Sequence, residues 1–357
     1  MPGRICVMNG YLDGRESDIE KGLYPRHHLW GADALARHGY DVSHLPAARM
    51  TTLERWARSL SAASKGRIGN LRREAEVLEI AKDFDALYLV TGELLAVPWL
   101  RAGRLLKSKI AVWVYGAPKE ASLLKLRPQL PEKGLDGILC LTRRAAESWT
   151  QRSPESLVQH VDWGVDLEMF RASDQPGEYF LCCGRTQRDY KTLLAAAAKV
   201  NFPFKFIIPE SERGGLELPA NVQIVGGPKT TADDKGLPYP ELLKHYHGCR
   251  AVLIALYADP NNTAGCTNAL EAMACGKPLV MTRTGCLELN LRKREAGIEV
   301  EPGDVDGWVQ ALRLLADDAA LARRLGANAR AAVDAHYNLP RFEREVCSFF
   351  DRLLTRH

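Results

Sequence analysis

The sequence predicts an α/β protein of two doubly wound, Rossmann-like domains, each a mostly parallel sheet with helices on both faces. Short apolar runs rich in Val, Ile and Leu recur along the whole chain, as expected of strands buried on both faces of a parallel sheet. A helical pattern follows most of these runs. The alternation occurs twice, before and after a polar stretch at 164–178 that reads GVDLEMFRASDQPGE.

The strands of the first half are expected at 5–8, around Val42, and at 86–90, 110–114, 137–141 and 157–161. An amphipathic helix is expected at 25–38, with Pro25 at its start and Gly39 just past its end. In the second half the strands fall at 179–183, 204–208, 222–225, 251–256, 278–282 and 298–300. Helices are expected at 190–199, 239–247, 267–275, 305–316 and 319–336. A last amphipathic helix at 339–354 has no strand after it, so it is expected to pack back on the rest. The domains are therefore expected at 1–164 and 165–338, with 339–357 returning to the first.

Composition excludes several classes. The 357 residues are 46% hydrophobic and 26% charged, ordinary for a chain with real cores and long enough for two domains. Nine cysteines are scattered without a C-x-x-C pair, which argues against a zinc or dithiol centre and for a reducing compartment. The N-terminus is too polar for a secretory signal, and no apolar run approaches a membrane span. A cytoplasmic protein, or one peripheral at the inner face of a membrane, is expected. No G-x-G-x-x-G follows the first strand and no G-x-x-x-x-G-K-[ST] occurs, against NAD and P-loop chemistry.

The stretch 259–290, DPNNTAGCTNALEAMACGKPLVMTRTGCLELN, carries the densest chemistry. A polar loop with Thr263, Ala264 and Gly265 follows a strand, and Thr267 and Asn268 then open a helix. Free backbone N–H groups and the positive dipole end at such a start suit a diphosphate. Glu271 lies one turn in, within reach of a ribose or sugar hydroxyl. Taken alone, the same residues also read as an ordinary helix start with an acidic first turn.

These residues resemble a family. GCTNALEAMACGKPLVMTRTG resembles the signature of family 4 glycosyltransferases, an E-x7-E pattern followed by A-M-A-x-G-x-P-V-V. GRTQRDYKTLL at 184–194 resembles that family's Gly-Arg phosphate loop, WGVDLEMF at 163–170 its interdomain connection, and EPGDVDGWVQAL at 301–312 its P-G-D segment. The resemblance implies a GT-B fold, with the two domains facing a central cleft. It also implies that Glu271 holds the nucleotide ribose and that Gly184 and Arg185 meet the donor diphosphate. Arg188 stands in for the family's lysine, a cation suited to the charge growing on a leaving phosphate. The alternative for Arg188 is a pairing with Asp189 or a helix end.

Two positions depart from the pattern. Thr263 stands where the first Glu of E-x7-E belongs, and Asp259 is the nearest upstream acid. Tyr115-Gly116 ends a strand where many members carry His-Gly, so Tyr115 is a candidate catalytic contact to a sugar hydroxyl. In the first half, the loop after strand one, residues 9–24, is expected to approach donor phosphate through Gly10. His27 and His28 read as surface or capping groups.

Asp304-Val305-Asp306 has the D-x-D form of a metal site in another architecture, but after Pro302-Gly303 it reads as a helix cap. No metal and no cofactor are expected. Residues 1–150 carry 23 Lys/Arg against 17 Asp/Glu, with basic clusters at 53–80, 101–109 and 119–127. A solvated surface and peripheral contact with an anionic membrane are both open readings; nucleic acid is not, for want of a basic stripe interleaved with aromatics. The expected activity is retaining transfer of a sugar from a UDP- or GDP-linked donor to a hydroxyl acceptor, in glycan, glycolipid or cell-envelope polysaccharide synthesis. A non-catalytic nucleotide-sugar-binding partner protein and a sugar-nucleotide epimerase on the same fold are the alternatives.

Overall fold

A computed structural model describes residues 3–12, 15–45, 77–90, 96–116, 134–175, 177–208, 213–226, 237–259, 261, 263–284 and 287–356. The chain divides into two compact units. Unit 1 comprises Met1–Ser17, Arg26–Asp162 and Phe342–His357; unit 2 comprises Asp18–Pro25 and Trp163–Arg341. The basic segments at 53–76 and 119–127 lie outside the described residues.

Unit 1 is built on six parallel strands: β1 (Arg4–Met8), β2 (Asp41–His44), β3 (Ala86–Leu89), β4 (Lys109–Val114), β5 (Gly137–Cys140) and β6 (Leu157–His160). Their order is β2-β1-β3-β4-β5-β6. Alternate side chains face opposite ways along a strand, so one face of this sheet buries Cys6, Met8, Leu87, Leu89, Val112 and Ile138 in a single cluster. The other face presents Tyr88 and Trp113, which pack against Phe350 (4.9 Å between ring centres) and Phe342 (5.7 Å) of the C-terminal helix Leu339–Thr355. That helix is further tied to unit 1 by the Arg37–Glu343 ion pair at 2.7 Å and the Tyr40 hydroxyl donating to Asp351 at 2.6 Å.

Unit 2 is built on β7 (Tyr179–Cys182), β8 (Phe204–Phe206), β9 (Val222–Ile224), β10 (Cys249–Ile254), β11 (Leu279–Thr282) and β12 (Gly297–Val300). These are also parallel, in the order β12-β11-β10-β7-β8-β9. Helices Tyr190–Ala197 and Val305–Asp317 cover one face, burying Leu193, Trp308 and Leu312 against Phe180, Phe204 and Leu253. Each of the twelve strands among the described residues overlaps a segment where a strand was expected; β2, DVSH, is largely exposed and carries no apolar run.

The expected single helix at 25–38 is corrected. A 3-10 turn at Arg26–Leu29 gives way at Trp30 (φ 54°) and Gly31 (φ 79°) before the helix Ala32–His38 begins. Two successive left-handed residues cannot continue a right-handed helix. The helix stops where the sequence places its end: Gly39 adopts φ 108° and its N–H bonds to the Ala36 carbonyl at 3.1 Å. Among the described residues, no helix is long and apolar enough to cross a membrane.

Candidate functional site

In unit 2, β7 and β10 are neighbours, while the strands that follow them, β8 and β11, lie on opposite sides. In an open α/β sheet this reversal opens a crevice at the carboxyl ends of the two strands, where ligands bind. The loop after β7 carries Gly184, Arg185 and Arg188; the loop after β10 carries Asp259, Thr263, Ala264 and Gly265. The backbone ties these loops together. Asp189 donates its N–H to the Ala255 carbonyl at 3.0 Å, and Tyr257 donates to Gln187 at 3.2 Å.

The helix after the second loop runs Cys266–Ala274. It starts one residue before the expected position, because Gly265 at φ 85° makes the turn into it. A Cβ at Gly265 would stand 2.7 Å from Ile254 Cγ2, so only glycine fits this close approach. Gly265, the N-cap residue, offers no side chain to cap the helix start, and Thr267 and Asn268 lie half-buried in its first turn. Thr263 and Ala264 are also half-buried, and the Thr263 carbonyl accepts from Cys266 N–H at 3.2 Å. Asp259 closes a local turn by accepting from Asn261 N–H at 2.9 Å.

Beneath the loops lies a bonded network. Arg188 is buried, with Nε donating to the Cys183 carbonyl (3.2 Å), Nη1 to the Thr186 carbonyl (2.8 Å) and Nη2 to Asn268 Oδ1 (2.7 Å). It does not ion-pair with Asp189, which instead caps the helix Tyr190–Ala197 by accepting from Thr192 N–H at 3.1 Å. Gly184, at φ 104°, lies directly over the guanidinium: a Cβ there would be 2.0 Å from Arg188 Nη2. Arg185 is exposed on the same loop. Asn268 Nδ2 donates to the Tyr246 hydroxyl at 3.3 Å, and that hydroxyl donates to Glu271 Oε2 at 2.9 Å.

Glu271 is 1% exposed. Burial pushes its carboxyl up to about 8, against the smaller opposing pull of hydrogen bonds from Tyr246 and Tyr239. Both tyrosines are held as neutral phenols, chiefly by desolvation. Phe170, buried in the 163–170 connection, packs edge-on against the Tyr239 and Tyr246 rings at 5.9 and 6.3 Å.

The structure thus gathers Gly184, Arg188, Asn268 and Glu271 into one group. Tyr246 and Cys183, whose Sγ lies 3.5 Å from the Tyr246 hydroxyl, join it without having been expected. A signal existed: Tyr239 and Tyr246 are seven apart on the helix Tyr239–Gly248, hence on one face.

Tyr115 and Gly10 belong to unit 1. Tyr115, after β4, donates its hydroxyl to the Val90 carbonyl at 3.1 Å and packs edge-on to Trp30 at 5.8 Å. Burial raises its pKa far above the usual phenol value. Gly10 is exposed in a turn after β1, beside Asn9, whose side chain donates to the His28 carbonyl at 2.7 Å. His27 and His28 are not surface groups: they are 0% and 8% exposed, with ring centres 4.5 Å apart. Both lie in the 3-10 turn Arg26–Leu29, and burial lowers the His27 imidazole to about 3. Asp304 caps the helix Val305–Asp317, accepting from Gly307 N–H at 2.9 Å, as its position after Pro302-Gly303 predicted.

Residues 216–332, a stretch that includes Thr263–Glu271, match the family described as glycosyl transferases group 1. A D-inositol 3-phosphate glycosyltransferase from Catenulispora acidiphila is 31% identical over 208 residues, 48% of this chain and 46% of that protein. A glycogen synthase from Mycobacterium tuberculosis is 31% identical over 102 residues, 29% of this chain and 24% of that one. The chain thus spans less than half the length of these curated relatives. Among solved structures, sucrose-phosphate synthase from Thermosynechococcus elongatus superposes with a TM-score of 0.67 at 16% identity, covering 98% of this chain and 99% of that one. Anabaena HepE in complex with UDP-glucose gives 0.66 at 13% identity, covering 98% and 100%. The fold is that of the GT-B glycosyltransferases.

Proposed function

We propose that this chain, with residues 216–332 matching the glycosyl transferases group 1 family, transfers a sugar from a nucleotide-diphosphate donor to a hydroxyl acceptor with retention and without a metal. The observation that carries this reading is the meeting of the β7 and β10 loops at a helix start whose N-cap is Gly265, with Glu271 one turn further in. First-turn N–H groups such as those of Thr267 and Asn268 receive the diphosphate, and Arg185, exposed on the β7 loop, supplies a cation to it. Arg188 acts from below: it holds Asn268 and the loop in place and adds fixed positive charge where negative charge grows on the leaving group. Glu271 accepts from the ribose hydroxyls. In the retaining mechanism the departing diphosphate takes the acceptor's proton on the face it leaves, so the acceptor needs no separate base. The UDP complexes of HepE favour UDP as the first donor nucleotide to test.

A binding protein without turnover is the second reading, and Thr263 in place of a carboxylate is what favours it. Thermal denaturation with UDP, GDP, ADP and their sugar conjugates, each with and without chelator, tests the donor site. A ligand at a hundredfold excess over Kd adds about 2.7 kcal/mol of stability. A chelator-resistant shift with one nucleotide, abolished in Arg185→Ala, is expected; no shift with any of them sinks the donor assignment. Product analysis with simple hydroxyl acceptors then separates transfer from mere binding.

A further inference from the structure

At the opposite end of the second sheet, the amino ends of β7, β10 and β11 border a cavity of about 430 Å³. Its walls include Lys277, Arg250, Arg323 and Arg330, and Asp174 is the one acidic residue among those lining it. Arg330 is already committed: it pairs with Asp334 at 2.9 Å and donates to the Ala274 and Phe170 carbonyls. That leaves three cations facing one carboxylate.

Among the described residues, none of the three is held in an ion pair, and Asp174 is the one carboxylate on the cavity wall. Lys277 is 4% exposed, yet its ammonium meets a backbone carbonyl, that of Gln175 at 3.3 Å, where three donors are available. The thiols nearest to it, Cys249 and Cys275, stay protonated because burial raises both, Cys249 to about 12. Arg250 spends Nε on the Gly177 carbonyl at 3.1 Å and Nη1 on Leu315 and Ala316 carbonyls, which are neutral partners. Burial and the nearby Arg323 both lower its proton affinity, the mark of a guanidinium held in a positive field. Arg323 itself is exposed at the rim.

A buried ammonium beside two mutually repelling guanidiniums is costly when empty and favourable when an anion completes it. We propose that this cavity is an anion site for a phosphate group, carried on a small metabolite or free, separate from the donor loops. Lys277 and Arg250 form its floor and Arg323 its rim. The volume exceeds what a bare phosphate fills, leaving room for an attached sugar-sized group. The helix Cys266–Ala274 begins at the donor loops and ends against this cavity at Gly276–Lys277, so one rigid element borders both sites.

Isothermal titration of the intact chain with inorganic phosphate, and separately with glucose 6-phosphate, tests the proposal. Saturable binding is expected, weakened about tenfold or more in Arg323→Glu and in Lys277→Met, and unchanged in Arg185→Ala. Arg323 is exposed, so its variant keeps the fold, checked by circular dichroism, even where Lys277→Met does not. Tighter binding of the sugar phosphate identifies a phosphorylated metabolite, and tighter binding of phosphate identifies the free ion. Absence of saturable binding, or loss in Arg185→Ala with retention in Arg323→Glu, overturns the site. The outcome is independent of the donor reading, because Arg323→Glu and Lys277→Met lie outside the β7 and β10 loops.

Discussion

Arg188 Nη2 donates to Asn268 Oδ1 at 2.7 Å, joining the loop after β7 to the first turn of a helix 80 positions later. Because the guanidinium is buried, removing its acceptor leaves a charged donor unsatisfied. Asn268→Ala is expected to cost about 1–3 kcal/mol in urea denaturation. The same change should weaken nucleotide binding, while Asn268→Asp, which restores an acceptor, recovers most of the stability. A stability unchanged in Asn268→Ala would show that the bond carries no load.

Gly184 sits over that same guanidinium with φ 104°. Gly184→Ala combines a left-handed alanine with a contact that neither partner can relieve cheaply, so a loss of about 1–3 kcal/mol is expected. Gly39→Ala, at φ 108° with nothing within 4 Å, is the control for backbone strain alone. The difference between the two melting curves isolates the clash, and equal losses would remove it from the account.

Glu271 titrates near 8 in the folded protein against an ordinary carboxyl value of 4.5. The folded state therefore keeps a proton that the unfolded chain releases first, and stability from this group falls as pH rises from about 4.5 to about 8. Above that window the cost is complete. Glu271→Gln keeps the shape but cannot titrate, so its stability relative to wild type should climb across this pH range in denaturant melts. Parallel profiles for the two proteins would place the carboxyl pKa near its usual value.

Asp304 caps the helix Val305–Asp317, and Asp306 pairs with Lys199 at 3.2 Å. Asp304→Ala should cost about 1 kcal/mol, the usual worth of an N-cap, and leave nucleotide affinity unchanged. Dependence of nucleotide binding on a divalent ion that vanishes in this variant would reverse the assignment.

The central strands were legible because they are short apolar runs such as ICVM, ALYL and YFLC, the pattern a parallel sheet covered on both faces requires. Gly39 and Asp304 were legible for a related reason: their jobs are local, set by neighbours within four residues. What escaped was decided by distant chain. Gly31 was a local hint of the left-handed turn, but the burial of His27 and His28 beside it depends on chain that no nearby residue announces. The bond from Arg188 to Asn268, 80 positions away, was illegible because no local pattern ties the two residues together. Tyr246 has a local signal of a kind, since its seven-residue spacing from Tyr239 places both on one helix face, but nothing nearby in sequence links it to Glu271.

The placement of β10 between β7 and β11 bears on how the protein is made. During synthesis β7, β8 and β9 emerge together and can pair, but the free edge of β7 must wait for Cys249–Ile254. Until then the bonds from Asp189 to Ala255 and from Tyr257 to Gln187 have no counterpart, and an apolar strand edge stands open to other chains. Nascent chains stalled before Cys249 should therefore be prone to association and blind to nucleotide, and refolding yield should depend on how quickly this long-range pairing closes.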